Sequence, residues 1–278
     1  MHIRGRCRVV AGRWWLVAVL GLSAGMPLHA SAGEGIELRI ASLTLPAMDD
    51  PQWPQQRARV RALLGELRPD FIAVQAVQHG RRHPSSACSL AAALEYSCDF
   101  VSTEPPSQPL RHGQAMLTRR KVVEDGVTLL HPPSRDSAAG MLRLQLGEQL
   151  INIYVARITP DDDVPAIRRH QINDLMTWIG ATDDGLPSII VGEFTSPTQE
   201  LVRATPGFQP ARRNPSARAN GGAAQGGVHG RDVLYQVRAF AGIDQQAIAL
   251  ADEGEQAPAL PLGMLARLRL SVPEPVAP

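Results

Sequence analysis

Two acidic residues, Glu193 and Asp232, stand beside short apolar runs that are typical of buried strands. Glu193 follows the run at 188–191, and Asp232 opens the run at 232–237. Carboxylate oxygens are ligands that Mg²⁺ prefers, and a divalent cation stabilises charge on phosphoryl oxygens and activates water. If the fold brings these two residues together, they could share one cation.

These acids fall within a set of six short blocks, at residues 38–45, 74–77, 155–158, 191–195, 230–234 and 271–276. Their order and intervals resemble those of the endonuclease/exonuclease/phosphatase superfamily, and the resemblance extends over residues 37–278. It implies an α/β fold in which two mixed β-sheets pack face to face and are flanked by helices, a four-layer α/β sandwich. In this superfamily the blocks carry metal ligands, a nucleophilic water and an Asp–His pair that hydrolyse phosphoesters.

Most of the corresponding positions hold other residue types here. Glu193 and Asp232 keep a carboxylate, whereas the replaced positions are Thr44 (Asn in the family), Ala76 (the metal-binding Glu), Arg157 (His), Thr195 (Asn), and Val272 and Pro273 (the Asp–His pair). The methyl group of Ala76 offers no lone pair to a cation, and the guanidinium of Arg157 stays protonated and cannot act as a base. The block around Arg157 could also be placed one residue away.

Two functions follow from this pattern. The first is a catalytically degenerate relative that binds an unknown ligand or protein partner in the former catalytic cleft and needs no cofactor. The alternative is a divergent Mg²⁺-dependent phosphodiesterase or nuclease that uses Glu193 and Asp232. His229, on the loop just before Asp232, is a candidate to assist the second, and His112 and His170 are further candidates. For each of the three, a surface or loop histidine is the simpler explanation.

The first 32 residues have the layout of a secretory signal peptide, with four early arginines, an apolar run at 14–22 and the small residues 30–32 before the cleavage site. A membrane anchor is the other interpretation, but the apolar run is shorter than the roughly 20 residues that span a bilayer. We therefore expect a signal peptide at 1–32, a single domain at 33–278, and export to the periplasm or the medium. No later segment is apolar enough to cross a membrane.

The charge balance gives no strong sign of nucleic-acid binding. The whole chain has 28 basic and 27 acidic residues, and removal of the signal peptide leaves 24 against 27, a net charge of −3. Proteins that grip nucleic acid without sequence preference usually carry a basic excess or a basic stripe.

Cys88 and Cys98 are the cysteines that remain after cleavage. Export to an oxidising compartment favours a disulfide between them, and two buried free thiols are the other possibility.

Sequence periodicity predicts helices at 55–67, 89–94 and 166–179. Strands are predicted at 37–43, 71–74, 98–102, 115–117, 122–130, 141–146, 150–158, 188–191, 232–237 and 265–272. The segment 206–230, rich in Arg, Gly, Ala and Asn, is predicted to be a long loop. The acids at 161–163 suit the start of the third helix, with a calcium site as the other interpretation.

Overall fold

A computed structural model describes residues 35–46, 49–80, 85–135, 137–158, 165–194, 198–211, 231–250 and 260–271. They belong to one compact unit, Gly35–Pro278. The elements in chain order are β1 (Ile36–Thr44), α1 (Trp53–Leu67), β2 (Phe71–Gly80), α2 (Ser86–Leu94), β3 (Ser97–Val101), β4 (Leu110–Thr118), β5 (Lys121–Leu129), β6 (Ala138–Leu146), β7 (Gln149–Ile158), α3 (Pro165–Thr182), β8 (Ser188–Phe194), α4 (Thr198–Ala204), β9 (Phe208–Pro210), β10 (Arg231–Gln236), β11 (Phe240–Leu250) and β12 (Leu260–Leu270).

The strands form two six-stranded sheets. Sheet A has the order β11-β12-β1-β2-β4-β3, and sheet B has the order β5-β6-β7-β8-β10-β9. Each sheet is mixed: β1 and β2 are parallel in sheet A, as are β7 and β8 in sheet B, and the other neighbours are antiparallel. Thr44 and Gln75 are the last pair of the parallel pairing in sheet A, and Arg157 and Glu193 are the second-last pair of the parallel pairing in sheet B.

Three apolar clusters separate four layers, which confirms the predicted sandwich. The middle cluster joins the facing sides of the two sheets, with Ile40 and Ala73 from sheet A against Val155 and Val191 from sheet B. A second cluster buries α1 and α2 against the outer face of sheet A. A third buries α3 and α4 against the outer face of sheet B. Strand residues alternate between the clusters because successive side chains point to opposite faces.

The disulfide prediction is confirmed, since Cys88 in α2 is bonded to Cys98 in β3. Their Cα atoms are 5.4 Å apart, which lies within the range that a disulfide can bridge. The bond fastens α2 to the outermost strand of sheet A.

Most predicted helices and strands are present, but three expectations about the second half of the chain are wrong. The segment Phe240–Leu250 is a strand that was not predicted, and Thr198–Ala204 is a helix that was not predicted. Part of the expected loop at 206–230 is the short strand Phe208–Pro210. The remainder of that loop at 212–230, the acids at 161–163 and the expected signal peptide at 1–32 lie outside the described residues.

In the part of the chain that the structure describes, none of the helices combines the length and the apolar character that crossing a bilayer requires.

Candidate functional site

An ion pair between Arg157 and Glu193 lies at the end of the two central strands of sheet B. The residues are in register on the parallel strands β7 and β8, and Arg157 Nε lies 3.0 Å from Glu193 Oε2. Each side chain is 18% exposed. Both continue the strand face of Val155 and Val191, which pack in the cluster between the sheets. The pair therefore sits at the mouth of the space between the two sheets.

Asp232 does not share that face. It pairs with Gly192 in β8, one position away from Glu193. In β10, Val233 faces the middle cluster between the sheets, and Leu234 faces the cluster beneath α3. Because side chains alternate along a strand, Asp232 lies on the same face as Leu234. The strand register thus directs the two family carboxylates to opposite faces of sheet B, which does not favour a cation site shared by Glu193 and Asp232.

Ala76 lies in an irregularity of β2 on the opposite sheet. The pairing of β2 with β4 shifts between Val74 and Val77, and Ala76 has a φ of 53° and is exposed. A bulge of this kind often re-aims side chains beside active sites. Here the side chain is a methyl group, so the irregularity presents no metal ligand.

Two glutamines line the inner face of sheet A beside this irregularity. Gln75 is fully buried, and neither its amide oxygen nor its amide nitrogen has a hydrogen-bond partner among the described residues. Gln114 donates through Nε2 to the carbonyl oxygen of Ala138 at 2.7 Å, a bond from sheet A to sheet B, while its Oε1 lacks a partner there. Ser42 Oγ, on the inner face of β1, is also buried without one.

These unpaired atoms have a clear energetic meaning. Leaving a buried donor or acceptor without a partner destabilises a folded protein by about 1–3 kcal/mol. Polar, enclosed sites of this kind are where ordered water or a polar ligand is stably held. Ser42, Gln75 and Gln114 therefore form a buried polar group on the inner face of sheet A, called here the polar floor, and the Arg157–Glu193 pair lies on the inner face of sheet B. The region between these two groups is called the cleft.

The matching family model identifies the chain. Residues 41–194, more than half of the 278 residues, match the model described as "Endonuclease/Exonuclease/phosphatase family". The chain belongs to this family.

Solved structures of family proteins share the fold at low sequence identity. An endonuclease/exonuclease/phosphatase from Bacteroides vulgatus superposes with a TM-score of 0.66 at 14% identity, covering 84% of this chain and 99% of that chain. The human Nocturnin catalytic domain with bound sulfate anion gives 0.63 at 16% identity, covering 84% and 93%. D. rerio TDP2 complexed with single strand DNA product gives 0.64 at 12% identity, covering 84% and 99%. A search of curated proteins finds no match to the sequence.

The divalent metal that the family resemblance implies does not fit the residues at this position. Glu193 is engaged by the fixed positive charge of Arg157, and Ala76 supplies no oxygen. Among the described residues no three His, Cys, Asp or Glu side chains come together as a metal site. Thr195, Val272, Pro273 and His229 lie outside the described residues, so their predicted roles stay predictions.

The structure places three other sequence candidates on β1, β4 and α3. Thr44 is at the end of β1, in register with Gln75. His112 is in β4, where its Nδ1 lies 3.3 Å from Glu104 Oε2, and His170 is exposed on α3. The polar floor was not predicted from the sequence, although Gln75 and Gln114 are amide side chains within otherwise apolar runs.

Proposed function

We propose that this protein is a catalytically inactive member of its family that is exported and binds a polar ligand, or a polar segment of a partner protein, in the cleft between the two sheets. The observation that carries the proposal is the Arg157–Glu193 ion pair. Arg157 neutralises Glu193, the carboxylate retained in the family block at residues 191–195, and places a permanent positive charge beside it.

The ion pair opposes metal-dependent hydrolysis in two ways. Arg157 repels a divalent cation at the carboxylate that would have to hold it, since like charges at short range in a protein interact strongly. Arg157 also cannot accept the proton of an attacking water, because guanidinium remains protonated at any physiological pH. Neither function is replaced by Asp232, which lies on the other face of the sheet.

Binding is supported by the polar floor. Gln75 and Gln114 present amide groups that can donate to and accept from a ligand, and Arg157 adds a guanidinium at the mouth. A ligand that hydrogen-bonds to the Gln75 amide and to Gln114 Oε1 would remove the penalty of leaving these atoms without partners, which gives binding a driving force. After removal of the signal peptide the net charge is −3. This charge does not favour binding of DNA, the ligand of the D. rerio relative.

An activity assay tests the absence of catalysis. Purified mature protein should hydrolyse neither DNA nor a chromogenic phosphodiester with Mg²⁺ or Mn²⁺ above the level of a Glu193→Ala, Asp232→Ala variant. Metal-dependent turnover that this double substitution abolishes would instead establish the divergent phosphodiesterase.

Export has its own measurement. Amino-terminal sequencing of the protein recovered from the periplasm or the medium should begin at Gly33, the residue after the expected cleavage site. Recovery of the full chain in the membrane fraction would contradict the signal-peptide interpretation and favour an anchor.

A further inference from the structure

A pocket lined by four arginines lies at the opposite end of sheet A from the cleft. It has a volume of about 420 Å³ and is lined by Glu37, Arg39, Arg68, Asp70, Arg119 and Arg120. Arg39 and Thr44 are five positions apart on β1, so the pocket is about 17 Å from the cleft end of that strand. It is a separate site, and its role is independent of the proposed function.

A single buried carboxylate organises the pocket. Asp70 is 2% exposed, and its Oδ1 accepts from Arg119 Nη2 at 2.6 Å and from Arg120 Nε at 2.9 Å. Its Oδ2 accepts from the backbone N–H of Arg39 at 2.9 Å. One guanidinium would neutralise this carboxylate, so the second adds a positive charge to the lining of the pocket.

Further positive charge surrounds the guanidinium groups of Arg119 and Arg120. The Arg39 side chain is anchored by a bond from Nη1 to the carbonyl oxygen of Leu67 at 3.1 Å. Arg68 follows the last residue of α1 in a left-handed conformation, with φ 45°, is exposed, and forms no ion pair within the described part of the chain. Glu37 lies 3.5 Å from Arg39 and 4.0 Å from Arg267, which divides its charge between two arginines.

The lining therefore has an uncompensated positive charge. Four guanidinium groups face two carboxylates, a formal excess of +2. Arg119 and Arg120 line the pocket and are 29% and 34% exposed, so part of each side chain is open to solvent. Each guanidinium has five donors in a planar fork that matches the geometry of phosphate oxygens, often through two bonds at once.

We propose that this pocket binds the phosphoryl group of a small phosphorylated molecule, with Arg68 and Arg120 as the principal contacts. A phosphate dianion would balance the excess charge. The volume exceeds that of phosphate alone and falls within the range of small-molecule sites, which leaves room for an organic group attached to the phosphoryl oxygen.

The test is calorimetric titration of the full mature protein with inorganic phosphate and with glucose 6-phosphate. Arg68→Gln is the informative variant because Arg68 lies outside the Asp70 network and its loss leaves that network intact. It should weaken binding of both phosphates by roughly tenfold, the effect of losing one charge-assisted hydrogen bond. Arg169→Gln, which makes the same charge change at an exposed position of α3, should leave the affinity unchanged.

The two titrants distinguish the sources of the phosphoryl group. Equal affinity shows that the pocket recognises the phosphoryl group alone, as in inorganic phosphate, and tighter binding of glucose 6-phosphate shows that the pocket also contacts the organic group. Arg120→Gln should weaken binding at least as much as Arg68→Gln, with circular dichroism confirming that the variant is folded. The proposal is overturned if neither titrant saturates below about 10 mM, or if Arg169→Gln weakens binding as much as Arg68→Gln.

Discussion

Replacing Arg157 should open the cleft to Mg²⁺, provided that a ligand is also restored at Ala76. The comparison uses four proteins: the natural sequence, Ala76→Glu, Arg157→Gln, and the two changes together. The first two should show no measurable Mg²⁺ binding because Arg157 remains on Glu193. The combined variant should bind.

The size of the effect follows from the ion-pair geometry. Arg157 Nε lies 3.0 Å from Glu193 Oε2, and Mg²⁺ binds a carboxylate oxygen at about 2.1 Å, so metal and guanidinium would be at most about 5 Å apart. In an effective dielectric of about 20, charges of +1 and +2 at that distance repel by roughly 7 kcal/mol. If water at the cleft mouth screens half of this, about 3 kcal/mol remains, which is at least about a hundredfold in affinity.

Isothermal titration calorimetry with Mg²⁺ measures the difference. The combined variant should bind at least about a hundredfold more tightly than Ala76→Glu alone. Ala76→Glu with Arg169→Gln, which removes a distant positive charge, is the matched control and should resemble Ala76→Glu. If Ala76→Glu binds as tightly as the combined variant, Arg157 leaves Glu193 at little cost and cannot be what keeps metal out.

Three further predictions concern stability. Gln75→Leu should raise the free energy of unfolding by about 1 kcal/mol in urea denaturation, because it removes two buried amide atoms that lack hydrogen-bond partners among the described residues. A lower free energy of unfolding would show instead that the amide is hydrogen-bonded in the folded state. Gly192→Ala should destabilise by about 2–3 kcal/mol because its Cβ would clash with the backbone carbonyl oxygen of Ala156 in the neighbouring strand. Gly180→Ala, in open space on α3, should stabilise by about 0.5–1 kcal/mol, and similar effects at both sites would refute this reasoning. Hydrogen bonding by Arg267 holds the pKa of Asp244 below its ordinary 3.8, so the stabilisation that the ionised Asp244 contributes is complete above about pH 5 and is lost as pH falls through the lowered pKa. Arg267→Gln should raise the pKa of Asp244 in an NMR titration and should lose more stability at pH 7 than at pH 3. An unchanged pKa would contradict the assignment.

The family blocks made the fold and one half of the candidate site predictable. Apolar runs at 150–158 and 188–191 correspond to β7 and β8, which lie side by side in the centre of sheet B. Arg157 in β7 is in register with Glu193 in β8, and its correspondence to the family's His stays a prediction. Local sequence carries this information because buried parallel strands are nearly continuous apolar runs.

The face of Asp232 could not be predicted in the same way. A shift of one residue in a strand moves every side chain to the other face. Arg231 and Asp232 are both charged, so hydrophobic alternation does not indicate which face of the sheet Asp232 takes. Only the pairing of Asp232 with Gly192 resolves the question.

Strand β11 and the polar floor were missed for different reasons. The segment Phe240–Leu250 has polar residues at its centre and two irregularities in its pairing with β12, which together remove the alternation that identifies strands. The unpaired state of Gln75 depends on which residues of distant strands surround it, and no local pattern encodes that.

The disulfide between α2 and β3 also determines how the edge of sheet A opens. As the outermost strand, β3 pairs only with β4, and edge strands with a single partner exchange their amide hydrogens through local opening. Because Cys98 is bonded to Cys88, β3 cannot detach by itself and must carry α2 with it, exposing apolar residues such as Leu90. Hydrogen exchange in β3 should therefore follow that of α2 while the bond is intact, and reduction should allow the strand to open by itself.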